Sequence, residues 1–516
     1  MQEAKNVSRT EVYRRLFSQE KQVRVECEGT LPDYADDVHR IVRATPRVRI
    51  TKRRVYRSEG RTLCEVGGAV SFDTVFRGEE GGELLDLFSH SFTQTFEEVF
   101  DLGETEVGEP YHLACRALTP TCTARAVGKK KCTYSATFTL FLDLFANVEI
   151  SYLAPGGEDV ETLQKEVRVS RLKQVREETF ELEEEITVPD NLPPILELCD
   201  CSMQAANTFV KQGESGLEFG VAARLYCAYQ AEDDEACRIV SFVKPIDITE
   251  HLLIGEECEA EDVSLFVSPA SLKTEVLMDS YSARRILKFS FSYLVTSVVC
   301  ESETLQLCAD AYCLDGECEM ACDTEEFVLL TPTRHTQTHQ NFTVSTADTV
   351  KQVELATAEV HVSQTHHTQQ GVCPVVSVLL RALCVRAEDG RVVPLEERVE
   401  FSPTFPDVRL TEGEGIAWHF VMPTVFAETG EGGVTFHLKA DFAYSVFRSQ
   451  SVDFITEFQV EKTREKPFSG VHFYYPAPDE SLWDIARSYR VSRAVLIAQN
   501  ALRENAPLPP MLMITK

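Results

Sequence analysis

The chain has 516 residues, 43% of them apolar and 9% aromatic, and 82 acidic against 51 basic side chains leave a net charge of −31. That length is too great for a single core and implies about three to five domains, and the apolar content excludes an intrinsically disordered chain. A field of that sign excludes nucleic acid and anionic membrane surfaces as partners of the body.

The N-terminal stretch MQEAKNVSRTEVYRRLF holds no apolar run of signal-peptide length. No segment offers ~18 uninterrupted apolar residues for a membrane span. The 17 cysteines, an odd number, then read as reduced, core-filling thiols of a cytosolic chain. In chain order, the first signal is an alternating strand that stops at Pro-Asp, Val23–Asp33, followed by a short apolar stretch, Val38–Val42. Proline has no N–H for a strand ladder, so Pro32 ends it. Glu65–Phe76 (EVGGAVSFDTVF) runs into the turn RGEEGGE and resumes as Leu84–Phe96, the pattern of a β-hairpin. Tyr134–Phe145 (YSATFTLFLDLF) alternates apolar and polar residues with the period of a half-buried strand.

The same series returns. Phe180–Asp190 ends in Pro189-Asp190 and precedes Ile195–Leu198; Glu218–Tyr229 meets QAEDDEA and resumes as Arg238–Ile248; Ile286–Ser297 (ILKFSFSYLVTS) is the second Phe/Leu strand. A third series has Phe342–Val344, Val350–Val353, Val375–Arg386 with AEDGR, Val392–Phe401 and Val434–Phe447, but no proline. The spacing is about 155 residues. The expected fold is mainly β: three repeated, sandwich-like antiparallel units near 1–160, 161–325 and 326–462, a linker over 463–470, and a small β-α-α-β domain over 471–516.

That last segment is electrostatically distinct, since its four acids and five bases sum to +1 and leave −32 on the preceding 470 residues. Ser481 is placed to cap a helix carrying Leu482, Ile485, Ala486 and Tyr489 on one face, and Ser492 a second carrying Val495, Leu496 and Gln499. Strand-like ends, Val471–Tyr475 and Met511–Thr515, bracket both. The aromatic strand Phe473–Tyr475, Ser-Leu-Trp-Asp-Ile-Ala at 481–486, Tyr489 with Val491-Ser492, Leu496 with Asn500-Ala501-Leu502, and closing Leu512 and Ile514 resemble a LysM domain. Repeated β units ahead of one LysM are similar to the SPOCS-domain family, whose LysM-bearing members are spore-coat morphogenetic proteins.

The resemblance implies a non-enzymatic scaffold or adaptor in the mother-cell cytosol at the forespore surface. Its implied partners are the ATPase that polymerises into the coat's basement layer, and other coat proteins. It also implies a glycan groove, here at Asp479, Glu480, Ser481, Leu482, Asn500 and Ala501. Asp479-Glu480-Ser481 and Pro510 depart from the family's loops, so glycan binding is left open. The alternative function is a wall or cortex protein that binds peptidoglycan-type or chitin-type glycan. Trp483 reads either as core filler beside Tyr474 or as an interface anchor, and the partner-binding face is taken as Trp483, Arg487 and Arg490.

Other clusters read as structural. Cys308, Cys313, Cys318 and Cys322 lie evenly along a stretch whose Leu314–Glu317 resembles a hairpin turn, not the paired knuckles of a zinc site. His335, His339, His366 and His367 sit in Thr/Gln-rich segments without a carboxylate or cysteine at ligand spacing. Glu177–Glu185 interleaves Phe180 and Leu182 as one acidic strand face. Phosphate-loop, dinucleotide, hydrolase-elbow and zincin motifs do not occur. No metal, cofactor or catalytic residue is expected.

Overall fold

The computed structural model describes residues 7–80, 83–154, 159–213, 216–232, 239–253, 258–331, 333–411, 413–430, 432–461, 470–503 and 507–515. Two expected hairpin turns fall partly on residues outside these, 81–82 and 233–238, and so does the expected linker apart from Gly470. The first set of strands is β1 (Val7–Thr30), β2 (Asp37–Ser58), β3 (Arg61–Glu80), β4 (Glu83–Asp101), β5 (Tyr111–Ala126) and β6 (Lys131–Leu153). It forms two antiparallel sheets, β1-β6-β5 and β2-β3-β4.

The second set repeats this order. It comprises β7 (Val160–Thr187), β8 (Ile195–Gly213), β9 (Gly216–Ala231), β10 (Ile239–Leu252), β11 (Val263–Leu277) and β12 (Ile286–Cys313). Its sheets are β7-β12-β11 and β8-β9-β10. In the third set the opening strand is broken into β13 (Glu317–Leu330) and β14 (Arg334–Ser345), followed by β15 (Val350–Thr368), β16 (Gly371–Arg386), β17 (Val392–Phe401), β18 (Glu414–Gly430) and β19 (Gly433–Glu461). Both pieces pair with β19, whose other edge takes β18, and β15-β16-β17 is the second sheet. Glu65–Phe76, Glu218–Tyr229 and Val375–Arg386 therefore occupy the central strand of the three meanders, and the Phe/Leu strands lie in β6, β12 and β19.

The reason is legible in β6. Cys132, Tyr134, Ala136, Phe138, Leu140, Leu142, Leu144 and Ala146 are all buried, while the residues between them are not. A pleated strand sends alternate side chains to opposite faces, so a period-2 sequence buries one whole face. Phe72 and Phe76 on β3 close over that face from the other sheet of the sandwich. Burying one such side chain is worth about 1.5–3 kcal/mol. The second and third sets each have an equivalent core, around Phe219, Phe289 and Phe291, and around Phe436, Phe442 and Leu380. Pro32 and Pro189 stand just past the ends of β1 and β7.

The three sets close on one another. The fourth strand of each touches the second strand of the next: β4 on β8, β10 on β15, and β17 back on β2. A head-to-tail contact that closes after three steps makes a ring, here within a single chain. Its apolar seam takes one residue from each meander strand: Val42, Val75 and Leu87; Cys199, Ala228 and Ile239; Leu355, Leu383 and Val392. Three equivalent side chains from β5, β11 and β18 also meet, with His112 stacked on Phe266 at 5.6 Å and Phe266 edge-on to His419 at 5.2 Å.

Charges cross the same seams. Asp200 lies 3.4 Å from Arg43 and 3.0 Å from Arg47, and Arg171 bonds Glu11 at 2.6 Å. Asn147 exchanges two hydrogen bonds with the backbone of Leu172, at 2.8 and 2.9 Å.

Two expectations need correction. The stretch around Leu314–Glu317 is a tight connection but not a hairpin, because β13 pairs with β19 and not with β12. The expected break between residues 325 and 326 accordingly falls inside β13, whose hydrogen bonds place Glu317 onward with the third set. Among the described residues no helix is long and apolar enough to cross a membrane.

Candidate functional site

The last strands and helices form a module of different grammar: β20 (Val471–Tyr474), α1 (Leu482–Tyr489), α2 (Arg493–Gln499) and β21 (Leu512–Thr515), with β20 and β21 antiparallel. Ser481 caps α1 in a reciprocal box. Its hydroxyl accepts from the Asp484 amide at 3.2 Å, and the Asp484 carboxylate accepts from the Ser481 amide at 3.2 Å. The Ser481 hydroxyl, which also donates to the Asp484 carboxylate at 2.5 Å, and then the Ser481 amide hold that carboxyl below its ordinary range. Ser492 stands at the α2 N-cap, but its side chain makes no capping bond. Ile485, Ala486, Leu496, Leu512 and Ile514 form the module's core, with Leu482 and Tyr489 partly buried against it. Val495, expected on the inner face of α2, is 40% exposed.

The expected glycan residues mostly hold the module together. The Glu480 carboxylate accepts from the Tyr474 hydroxyl at 2.7 Å and from the Ala477 amide at 3.1 Å. Asn500 ties α2 to β21: its amide nitrogen donates to the carbonyls of Leu496 (3.0 Å) and Met513 (2.8 Å), and its oxygen accepts from the Met513 amide at 2.6 Å. Ser481 is engaged in the cap. Asp479 and Ala501 are exposed, Ala501 in the left-handed region at φ 51°, and Leu482 is half-buried.

The Trp483–Arg487–Arg490 face is brought together, but it does not look outward. Trp483 is 7% exposed, a correction to its reading as an open anchor, and it belongs to the same buried cluster as Ile485, Ala486 and Leu496, which Tyr312 of the body joins and against which Tyr474 packs. Its indole N–H donates to Asp310 Oδ2 at 2.7 Å, and Arg487 donates to the same oxygen at 2.8 Å. Tyr312 meets the Trp483 ring edge-on at 4.9 Å and donates its hydroxyl proton to the Val491 carbonyl at 2.7 Å. Arg490 reaches Glu317 at 3.5 Å. Asp310 and Tyr312 close β12, and Glu317 opens β13.

Sequence reading overlooked Asp310, Tyr312 and Glu317. They sit among the four cysteines, which drew attention as thiols. Cys308 and Cys313 are buried, Cys318 is half-buried and Cys322 exposed, and all four are free. His335 and His339 lie on β14 and His366 and His367 on β15, all on exposed positions of two different sheets. Glu181 and Glu183–Glu185 face solvent while Phe180 and Leu182 pack on the second core. A cleft of about 530 Å³ opens between the first and second sets, lined by Arg53, Tyr111, His112, Val175 and Glu177 among others, with Arg53 and Glu177 paired at 3.3 Å. Burial pushes the His112 imidazole down to about 4, with the Arg53 charge adding to it.

What this arrangement offers chemically is recognition. The convergent groups of the module are donors and an aromatic wall held against one carboxylate. Comparisons with family models, with curated proteins and with solved structures find no match to this chain.

Proposed function

We propose that the chain is a non-enzymatic scaffold or adaptor of spore-coat assembly, built of SPOCS-like β units and a LysM-like module, acting in the mother cell at the forespore surface. The observation that carries this reading is the combination within one chain. Three like-ordered β sets precede a β-α-α-β module whose first helix is the capped Ser-Leu-Trp-Asp-Ile-Ala segment. A ring of repeated units offers several copies of related surfaces, and linked weak sites gain affinity through effective concentration. The partner proposed from the resemblance is the ATPase of the coat's basement layer, with other coat proteins around it.

Glycan recognition is the lesser reading, since Glu480, Ser481 and Asn500 spend their polar atoms inside the module. A fluorescent fusion followed through sporulation tests the proposal. A shell around the forespore, together with retention of the ATPase by the full chain and not by a chain lacking residues 471–516, is the expected result. Location in the vegetative wall, with tight binding of N-acetylglucosamine oligomers and no ATPase retention, would replace it by the glycan reading.

A further inference from the structure

We propose that the C-terminal module is held shut by a clasp in cis, its Trp–Arg face occupied by the Asp310-Ala311-Tyr312 strand end, and that a partner engages this face by displacing that strand end with an acidic-aromatic segment of its own. The inference rests on reading the module as a binding module and adds what it recognises and how recognition is withheld.

The contact has the composition of a recognition site. A buried tryptophan and two arginines are the side chains most enriched at interface centres. Trp483 and Arg487 converge on one carboxylate, whose Oδ2 takes both the indole and the guanidinium while its Oδ1 accepts from the Ala311 amide at 2.9 Å, and Arg490 reaches the Glu317 carboxylate. Tyr312, 3% exposed, supplies the apolar half and a hydroxyl that reads a backbone carbonyl. The ligand chemistry is therefore an extended Asp-x-Tyr with a second carboxylate a few residues on, the place of Glu317.

The polar edge of the contact is accessible to water. The Arg487–Asp310 pair is 47% and 21% exposed, the Arg490–Glu317 pair 26% and 66%, and ion pairs this accessible are weak and salt-screened. The tether is short. β19 ends at Glu461, which pairs with Glu317, the residue that Arg490 reaches, and the module starts at Val471. A short tether holds the cis ligand at an effective concentration on the order of millimolar. A partner in trans then sees its affinity reduced by the fraction of modules that stand open.

The test uses the full chain and two variants, Asp310→Asn and the double variant Asp310→Asn, Tyr312→Ala. The probe is a synthetic peptide of residues 307–318 with serine at its cysteine positions, and binding is read by fluorescence anisotropy. Hydroxyl-radical footprinting reads the accessibility of Trp483, and hydrogen exchange in α1 and α2 checks that the module stays folded. We expect Trp483 oxidation to rise several-fold in the variants, and the peptide to bind the double variant at least tenfold more tightly than the parent chain. Unchanged Trp483 protection in both variants would show that the strand end does not hold the module. An opened, folded module that binds the peptide no better than the parent would show that the face is packing only. Should the module unfold in the double variant, the same two readings on Asp310→Asn decide. Loss of forespore location with peptide binding intact would count against the coat reading and leave the clasp standing.

Discussion

The ring and the C-terminal module hold themselves together in different ways, and the difference shows where each is vulnerable. The ring's three cores are each built by two sheets, and each seam recurs with new side chains: Val42, Cys199 and Leu355 are one position played three times. A defect in one seam leaves two others. The module has one small core and one seat, made by Asp310, Tyr312 and Glu317 of the body. Redundancy gives the ring a stability spread over many contacts, whereas the module's placement depends on a few polar groups.

Acid should separate the two regions most sharply. Burial, and then the positive neighbours Arg53 and His419, push the His112 imidazole down to about 4; burial, then Arg116 and His335, do the same to His419. Both sit where the three sets meet. A group with a depressed folded-state value takes up protons more readily once unfolded. The ring should keep full stability above about pH 6.5 and lose it as pH falls toward 4, by on the order of 3 kcal/mol for each histidine. Hydrogen exchange followed across that range should show the inter-set strands β5, β11 and β18 opening first. Equal loss in the module, which holds only the exposed His472, would erase the distinction.

Within the ring, Phe291→Ala should be the most damaging single change, about 3–5 kcal/mol, because Phe291 is fully buried in the second core. Urea unfolding should report it with α1 exchange unaltered below the transition. Asp200→Ala comes next, at about 3 kcal/mol. It leaves Arg43, itself 8% exposed, and Arg47 without their shared carboxylate across the first seam. Asp200→Ala paired with Arg43→Met should recover part of the loss, and no recovery would mean that the seam does not depend on this pair. The smallest effect is expected in the module, where Ser481→Ala removes the α1 cap and lowers the module's local stability by about 1 kcal/mol. The melting midpoint of the ring should not move.

Much of the ring was legible in the residues. The central meander strands, the Phe/Leu strand of each set and the proline stops all announced themselves, because alternation along a strand is a local property that one pleated face imposes. The cap at Ser481 was legible for the same reason, since a helix N-terminus needs its amides satisfied within one turn. Ser492 misled because the residue type is right for a cap while its side chain makes no capping bond.

What strands pair with is another matter. The period-2 pattern says which face is buried but carries little about the neighbour, so β13 read as the return of β12 when its ladder is with β19. The ring closure escaped for the same reason: Val42, Cys199 and Leu355 are ordinary apolar residues until three sets stand side by side. Trp483 and Asp310 are 173 residues apart, and neither shows in its own neighbourhood that it will meet the other. The sequence by itself determined the central meander strands, the Phe/Leu strands and the two short helices with their order, because those follow from local stereochemistry and the hydrophobic effect acting along one element, while β5, β11 and β18 did not show in their own residues. Only the tertiary structure decided the partners of β13, the closing of three sets into a ring and the seating of the module on Asp310, because these depend on which distant surfaces come within hydrogen-bonding reach.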